Sequence, residues 1–399
     1  MDARGRAAAR ESTDWTRVAF GVALGAFVAY QQFKLPPILP DFLARYPHSP
    51  VIAAGFMSVY ALVGLLASAP IGRRLDAHLR LGVSVLFILT VMGITLGLAV
   101  PQSAPLMLLA RAFEGLGFAI GAIAGPAIAA RAAKPRDLPL VTGLIAAWIP
   151  LGQIAAALAA LGLGNWRWLW LIGLFASLPL ALWARTLLRA DNHATHATHA
   201  ARRPPDAAQH RQLLLAGAIF LLWSGQYFAF MTWLTQYLTS VLALGHAASV
   251  LAYLVPVVVL LGFNVLTGWA LRHGLKLIPT MIGALLAQSA VWFAQPWLSG
   301  TAGIFGLVVY GIGAGIIPTC LFQLPHAIAR RAAGASFIGV IMTGRNVGVF
   351  LGPLLLALLI GGDRYALHLG WTAAAQAVGG ITLIAAIIAL ILGRSLKTH

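Results

Sequence analysis

Apolar residues along this chain come in runs too long for a soluble core, separated by short polar stretches. Twelve runs of 18 or more residues lie at about 18–39, 51–71, 81–100, 106–130, 138–162, 167–188, 213–240, 247–271, 277–295, 302–325, 335–361 and 366–392. A helix rises 1.5 Å per residue, so each run matches a hydrocarbon layer about 30 Å thick. Inside that layer every backbone N–H and C=O needs an internal partner, which makes these runs helices. The pattern predicts an all-α integral membrane protein with 12 transmembrane helices.

The breaks between runs organise the chain. The longest polar stretch separates two sets of six spans. It gives a tail at 1–16, an N-terminal six-helix bundle at 17–188, a linker at 189–212, a C-terminal six-helix bundle at 213–393 and a tail at 394–399. The linker carries His193, His196 and His199 at a spacing of three. In so polar a stretch they read as flexible linker rather than metal ligands. Sliding the second set onto the first by 196 residues pairs Gly21 with Gly217, Gly72 with Gly268, Gly115 and Gly117 with Gly311 and Gly313, and Gly143 and Gly152 with Gly339 and Gly348. Repeated matches at one offset imply two pseudo-symmetric halves in parallel orientation. That is the arrangement expected where a mid-membrane site is exposed alternately to the two sides.

Composition adds topology. Hydrophobic residues make up 60% and charged residues 9%, against about 25% charged in a soluble domain. The formal net charge of +17 would fit nucleic acid if it were clustered. With the N-terminus placed in the cytoplasm, 21 of the 27 basic residues fall on that side, and only Arg45, Arg167 and Arg364 on the other. This is the positive-inside asymmetry; it places both termini in the cytoplasm of a multi-pass cell inner-membrane protein. It makes the lipid bilayer, not nucleic acid, the partner of the basic excess. The first apolar run is too long for a cleavable leader. Cys320 stands alone, so neither an intrachain disulfide nor a cysteine metal site is expected, and no cofactor is implied.

Candidate chemistry lies in the few polar groups inside the spans. Arg345 sits about ten residues into the eleventh run, roughly 15 Å deep. A guanidinium there should face water or a partner. Gly339, Gly344, Gly348 and Gly352 around it allow close helix approach. Lys34 shares a helical face with Tyr30 and Gln31; it either snorkels to the outer headgroups or lines the outer half of a central cavity. Glu114 is the only carboxylate within a span and stands three residues after Arg111. The two either form a structural ion pair, or Glu114 carries a coupling proton. Trp223, Gln226 and Tyr227 in span seven and Asn346 beside Arg345 complete a candidate solute-binding set. Gly72, Asp76 and Arg80 mark a short cytoplasmic loop between spans two and three.

At these residues the chain resembles the major facilitator superfamily over essentially its whole length. Gly72, Asp76 and Arg80 fit that family's loop motif, although Ala77 and Leu79 depart from it. Arg111, Gly115 and Gly117 fit its span-four motif. Gly143 and Gly152 fit the start of an exporter motif, but Ala156 and Ala157 replace its Gly-Pro. The full spacing recurs in span eleven as Gly339, Gly348 and Gly352-Pro353. Residues 232–238 and 311–320 also look similar to the cyanate and nitroimidazole branch. The resemblance implies spans 1, 4, 7 and 10 around a cavity, flanked by 2, 5, 8 and 11. It implies a secondary carrier, a monomer, moving a small anionic or polar solute with protons as the candidate coupling ion. The alternative is an efflux pump for hydrophobic drugs or metabolites. A membrane enzyme is not expected, because no acid and base pair stands within mutual reach inside the spans.

Overall fold

The computed structural model of the chain describes residues 12–134, 137–188, 206–329, 335–361, 367 and 369–397. The histidines of the 189–205 stretch lie outside the described residues. Helices are α1 (Trp15–Phe33), α2 (Leu39–Arg45), α3 (Pro50–Ala99), α4 (Ala104–Ala132), α5 (Leu138–Ala146), α6 (Trp148–Leu163), α7 (Trp166–Leu187), α8 (Ala207–Ser240), α9 (His246–Arg272), α10 (Leu277–Ala294), α11 (Gly300–Ala329), α12 (Ala335–Ile360) and α13 (Gly370–Lys397). Among the described residues eleven segments are long and apolar enough to cross a membrane, and Pro50–Leu62 in α3 adds a shorter apolar one. Counting the short α2 with α1, dividing α3 into two crossings and joining α5 to α6 gives the twelve expected.

Three boundaries differ from the apolar pattern, each for a local reason. The first run does not continue to residue 39. Helix α1 stops at Phe33, because Pro36 and Pro37 lack the N–H that would extend it, and a single 3-10 turn, Pro36–Ile38, follows. Within α3 two helices meet at a kink: His78 (φ −136°, ψ 49°) leaves helical geometry inside the stretch expected as the 72–80 connection. Span five breaks at Ala147, where Pro150 removes a bond to Ala146. Finally, α8 begins at Ala207, ahead of its apolar run, because Asp206 and Gln209 form a reciprocal capping box.

Each half is a bundle. In the first, α1 packs on α4 and α6, and α3 on α4 and α7. In the second, α8 packs on α12 and α13, α9 on α11, and α10 on α11 and α13. The halves meet through α3 with α12, α6 with α9, and α2 and the Pro36–Ile38 turn with α8.

The internal repeat appears in the packing. A methyl group on Gly115 would press on Tyr60, and one on Gly311 would press on Pro256, so both partners keep the 196-residue offset. Gly152 sits against Ala26, Ala29 and Tyr30 of α1, and Gly348 against Leu221, Ser224 and Gly225 of α8. Along α12 the stripe Gly344, Gly348 and Gly352 rides on the α8 backbone at Gly217, Leu221 and Gly225, with no room for a Cβ. Such contact is what small residues give neighbouring membrane helices.

Candidate functional site

Among the described residues three polar groups lie within the helical mass. The first is in the N-terminal bundle. Lys34 follows the end of α1, and its Nζ donates to Gln31 Oε1 at 2.9 Å and to Glu114 Oε1 at 3.0 Å. The ammonium also lies 4.3 Å from the Trp170 ring centroid. Lys34 is therefore enclosed by α1, α4 and α7 instead of reaching outward to headgroups. Arg111 supplies five N–H donors. Its Nε donates to the Phe56 carbonyl at 3.0 Å, and its Nη1 to the Gln31 carbonyl at 2.9 Å and Glu114 Oε2 at 2.6 Å. Its Nη2 donates to the Gln32 carbonyl at 3.0 Å and contacts Met57 Sδ at 3.8 Å. The Gln32 carbonyl is free because the residue four later is Pro36. The Tyr60 hydroxyl stands 2.5 Å from Glu114 Oε2. Lys34, Arg111 and Glu114 are all 1% exposed or less. Two cations thus share one carboxylate in an apolar bundle. Nearby, the Tyr30 hydroxyl donates to the Leu169 carbonyl at 2.8 Å.

The second group is in the C-terminal bundle and contains no charge. Gln226 Nε2 donates to Gln288 Oε1 at 2.8 Å, while Trp292 Nε1 and the Tyr310 hydroxyl both donate to Gln226 Oε1 at 2.7 Å. Trp223 Nε1 donates to Gln288 Oε1 at 3.1 Å, and Gln288 Nε2 to the Tyr310 carbonyl at 3.1 Å. Gln288, Trp292 and Tyr310 were not marked by the sequence, because an isolated amide or ring in an apolar run carries no periodic signal. Phe230 stacks on Tyr310 at 3.7 Å. These two positions are the 196-residue counterparts of Lys34 and Glu114. An ion pair in one half is matched by a ring stack in the other.

The third group joins the halves at mid-depth. The Tyr227 hydroxyl of α8 donates to Gln153 Oε1 of α6 at 3.2 Å. Trp223 stacks on Tyr227 at 5.4 Å, and Phe228 meets Phe33 of α1 at 5.7 Å. The Tyr253 hydroxyl is buried beside the Gln153 side chain at the same place. Arg345 belongs here. It is half-buried, its Nη1 donates to Asn346 Oδ1 at 3.2 Å, and its guanidinium carbon lies 5.9 Å from the Phe228 ring. Among the described residues Arg345 has no carboxylate partner. A recess of about 410 Å³ opens one residue away, between Leu214, Gly217 and Leu221 of α8 and Thr343, Gly344 and Val347 of α12.

The structure therefore separates the candidate residues. Tyr30, Gln31, Lys34, Arg111 and Glu114 lie inside one bundle, Trp223 and Gln226 mainly inside the other, and Tyr227, Arg345 and Asn346 at the seam. Arg80 is exposed on α3. Gly72 and Asp76 lie outside the residues whose side chains are described.

The whole-chain comparison decides the family. The model described as Major Facilitator Superfamily matches residues 22–353. The chain belongs to the Major Facilitator Superfamily. Solved structures agree in fold with this member of the superfamily. A D-xylose–proton symporter superposes with a TM-score of 0.73 at 12% identity, covering 95% of this chain and 97% of its own. The nucleoside transporter NupG gives 0.73 at 13%, covering 94% and 99%. A bacterial homologue of the human lysosomal transporter Spinster gives 0.70 at 15%, covering 95% and 96%. Comparison with curated proteins returns no match. Superfamily membership makes this a multi-pass membrane transporter for small solutes.

Proposed function

We propose that this transporter is a secondary carrier of a small anionic organic solute, working by alternating access with Arg345 as the anion-binding group. One observation carries the reading. Arg345 is a half-buried cation at the seam of two duplicated bundles, and among the described residues no carboxylate neutralises it. A charge so placed needs water or a counter-ion, and a guanidinium suits a carboxylate bidentately. Asn346 bonds Arg345 and Tyr227 bonds Gln153, so these side chains could orient the rest of the solute. The likeness of residues 232–238 and 311–320 to the cyanate and nitroimidazole branch fits a compact polar solute.

In this reading the protein is a monomer of the cell inner membrane with both termini in the cytoplasm. Proton coupling falls to the Lys34–Glu114–Arg111 cluster, which holds one excess positive charge that loss of a proton would remove. The test is counterflow into proteoliposomes across a panel of small carboxylates, with and without a pH gradient. Arg345→Ala should weaken apparent affinity roughly 10–100-fold, as expected for loss of charge-assisted bonds of about 1.5–3 kcal/mol. Arg345→Lys should recover only part of it. Normal uptake by Arg345→Ala would end the anion-site proposal.

A second reading is efflux of hydrophobic compounds. It is favoured by an apolar cavity of about 60 Å³ in the C-terminal bundle, lined by Phe230, Trp233, Tyr237, Trp292 and Trp371. A drug-susceptibility panel on a deletion strain separates the two.

A further inference from the structure

The face opposite the termini is closed by contacts between the halves, and one of them contains a titratable side chain. His246, the first residue of α9, places Nδ1 at 2.7 Å from Asp41 Oδ2 on α2. Its Nε2 stands 3.2 Å from the Ala160 carbonyl near the end of α6. Asp41 and Ala160 belong to the N-terminal half and His246 to the C-terminal half. The ring therefore bridges the two halves with both nitrogens engaged.

Counting protons gives the consequence. A backbone carbonyl can only accept, so Nε2 must carry a hydrogen to bond Ala160. A neutral imidazole has one N–H, which leaves Nδ1 as an acceptor facing a carboxylate oxygen, itself an acceptor when ionised. The 2.7 Å contact requires a hydrogen between them. Whether the imidazole or the carboxyl holds it, the bridge contains one proton more than a neutral histidine beside an ionised aspartate.

We propose that Asp41, His246 and the Ala160 carbonyl form a proton-binding latch, and that closing this face takes up one proton from the solution on that side. The side chains are 30% and 55% exposed for His246 and Asp41, so that solution reaches them directly. Imidazole is the side chain that ordinarily changes charge between pH 5 and 8. The other groups nearby do not supply the proton. Arg45 is the remaining charged residue on α2. Helix α6 carries no charged residue, and the only other charge on α9, Arg272, lies at its far end. His48 bonds the Pro101 carbonyl at 2.9 Å and packs on Phe42 and Phe56, all within the N-terminal half. The sign follows directly. Lower pH on this side favours the closed face, and higher pH releases it.

The test is a distance measurement on the full-length protein in lipid nanodiscs. Spin labels go on Gln102→Cys and Trp297→Cys, one in each half on this face, in a Cys320→Ser background. With the latch intact, the longer-distance population should grow several-fold between about pH 5.5 and about pH 8. In His246→Gln it should no longer depend on pH. Asp41→Asn, an exposed and conservative change, should blunt the same response and serves if the first variant fails to reconstitute. A distance distribution identical at both pH values, or a full response retained in either variant, overturns the proposal. The readout needs neither solute nor Arg345, so it stands or falls apart from the anion-site reading.

Discussion

Two arginines show how the same side chain takes different roles according to what surrounds it. Arg111 has a partner for each of its five donors, three of them backbone carbonyls, and Glu114 has three donors converging on it. Among the described residues the Arg345 side chain makes one hydrogen bond, to its neighbour Asn346. Removing a partner from a buried ion pair strands a charge and costs about 3–5 kcal/mol. Glu114→Gln should therefore lower the melting temperature of the detergent-solubilised protein markedly, whereas Arg345→Ala should barely move it while apparent solute affinity falls. Differential scanning fluorimetry of the two variants beside wild type checks this; an unchanged Glu114→Gln melt would refute a structural role for the cluster. The spacing of three between Arg111 and Glu114 was legible in the sequence, because it is a local helical relation. The Lys34–Glu114 bond was not. It joins residues 80 apart, and nothing in a helical period records which faces of two separate helices meet.

At the scale of helices, length and hydropathy located nearly every crossing, and the small-residue stripes foretold where backbones touch. Helix α12 is the clearest case, since a Cβ at Gly348 would collide with the Leu221 carbonyl and Ser224 hydroxyl of α8. Gly143, in contrast, has open space around its Cβ position. Gly348→Val should abolish monodisperse folded protein in size-exclusion chromatography, while Gly143→Ala should elute as wild type. Equal behaviour of the two would mean that the α8–α12 contact is not rigid. The break that hydropathy placed at 72–80 coincides with the kink at His78 in α3. What hydropathy could not report was the break at Ala147, inside an apolar run.

The halves of the whole molecule are related by repeat but not by chemistry. One bundle holds a charged cluster, and the other holds amides and stacked rings at matching positions. The 196-residue offset read from glycines survives in the packing of Gly115 on Tyr60 and Gly311 on Pro256. The cross-half contacts did not show in the sequence, because each depends on how two independent bundles dock. If closure of the face opposite the termini is one stage of a cycle, holding it shut must stop the cycle. Asp41→Cys with His246→Cys, in the Cys320→Ser background, should transport until treated with a short bis-thiosulfonate linker, and again after reduction. Continued flux by the linked protein would exclude opening of this face from the transport path.

Pro36 ties two parts of the molecule together. Its missing N–H leaves the Gln32 carbonyl to Arg111, while its own carbonyl accepts the Thr235 hydroxyl of α8. A single imino acid is thus fastened on one side to the buried charges and on the other to the opposing bundle, five residues before Asp41. A shift of α8 away from this strut would pull on the same short stretch of chain whose carbonyls anchor the guanidinium. The interior ions and the outer rim then share one mechanical tether.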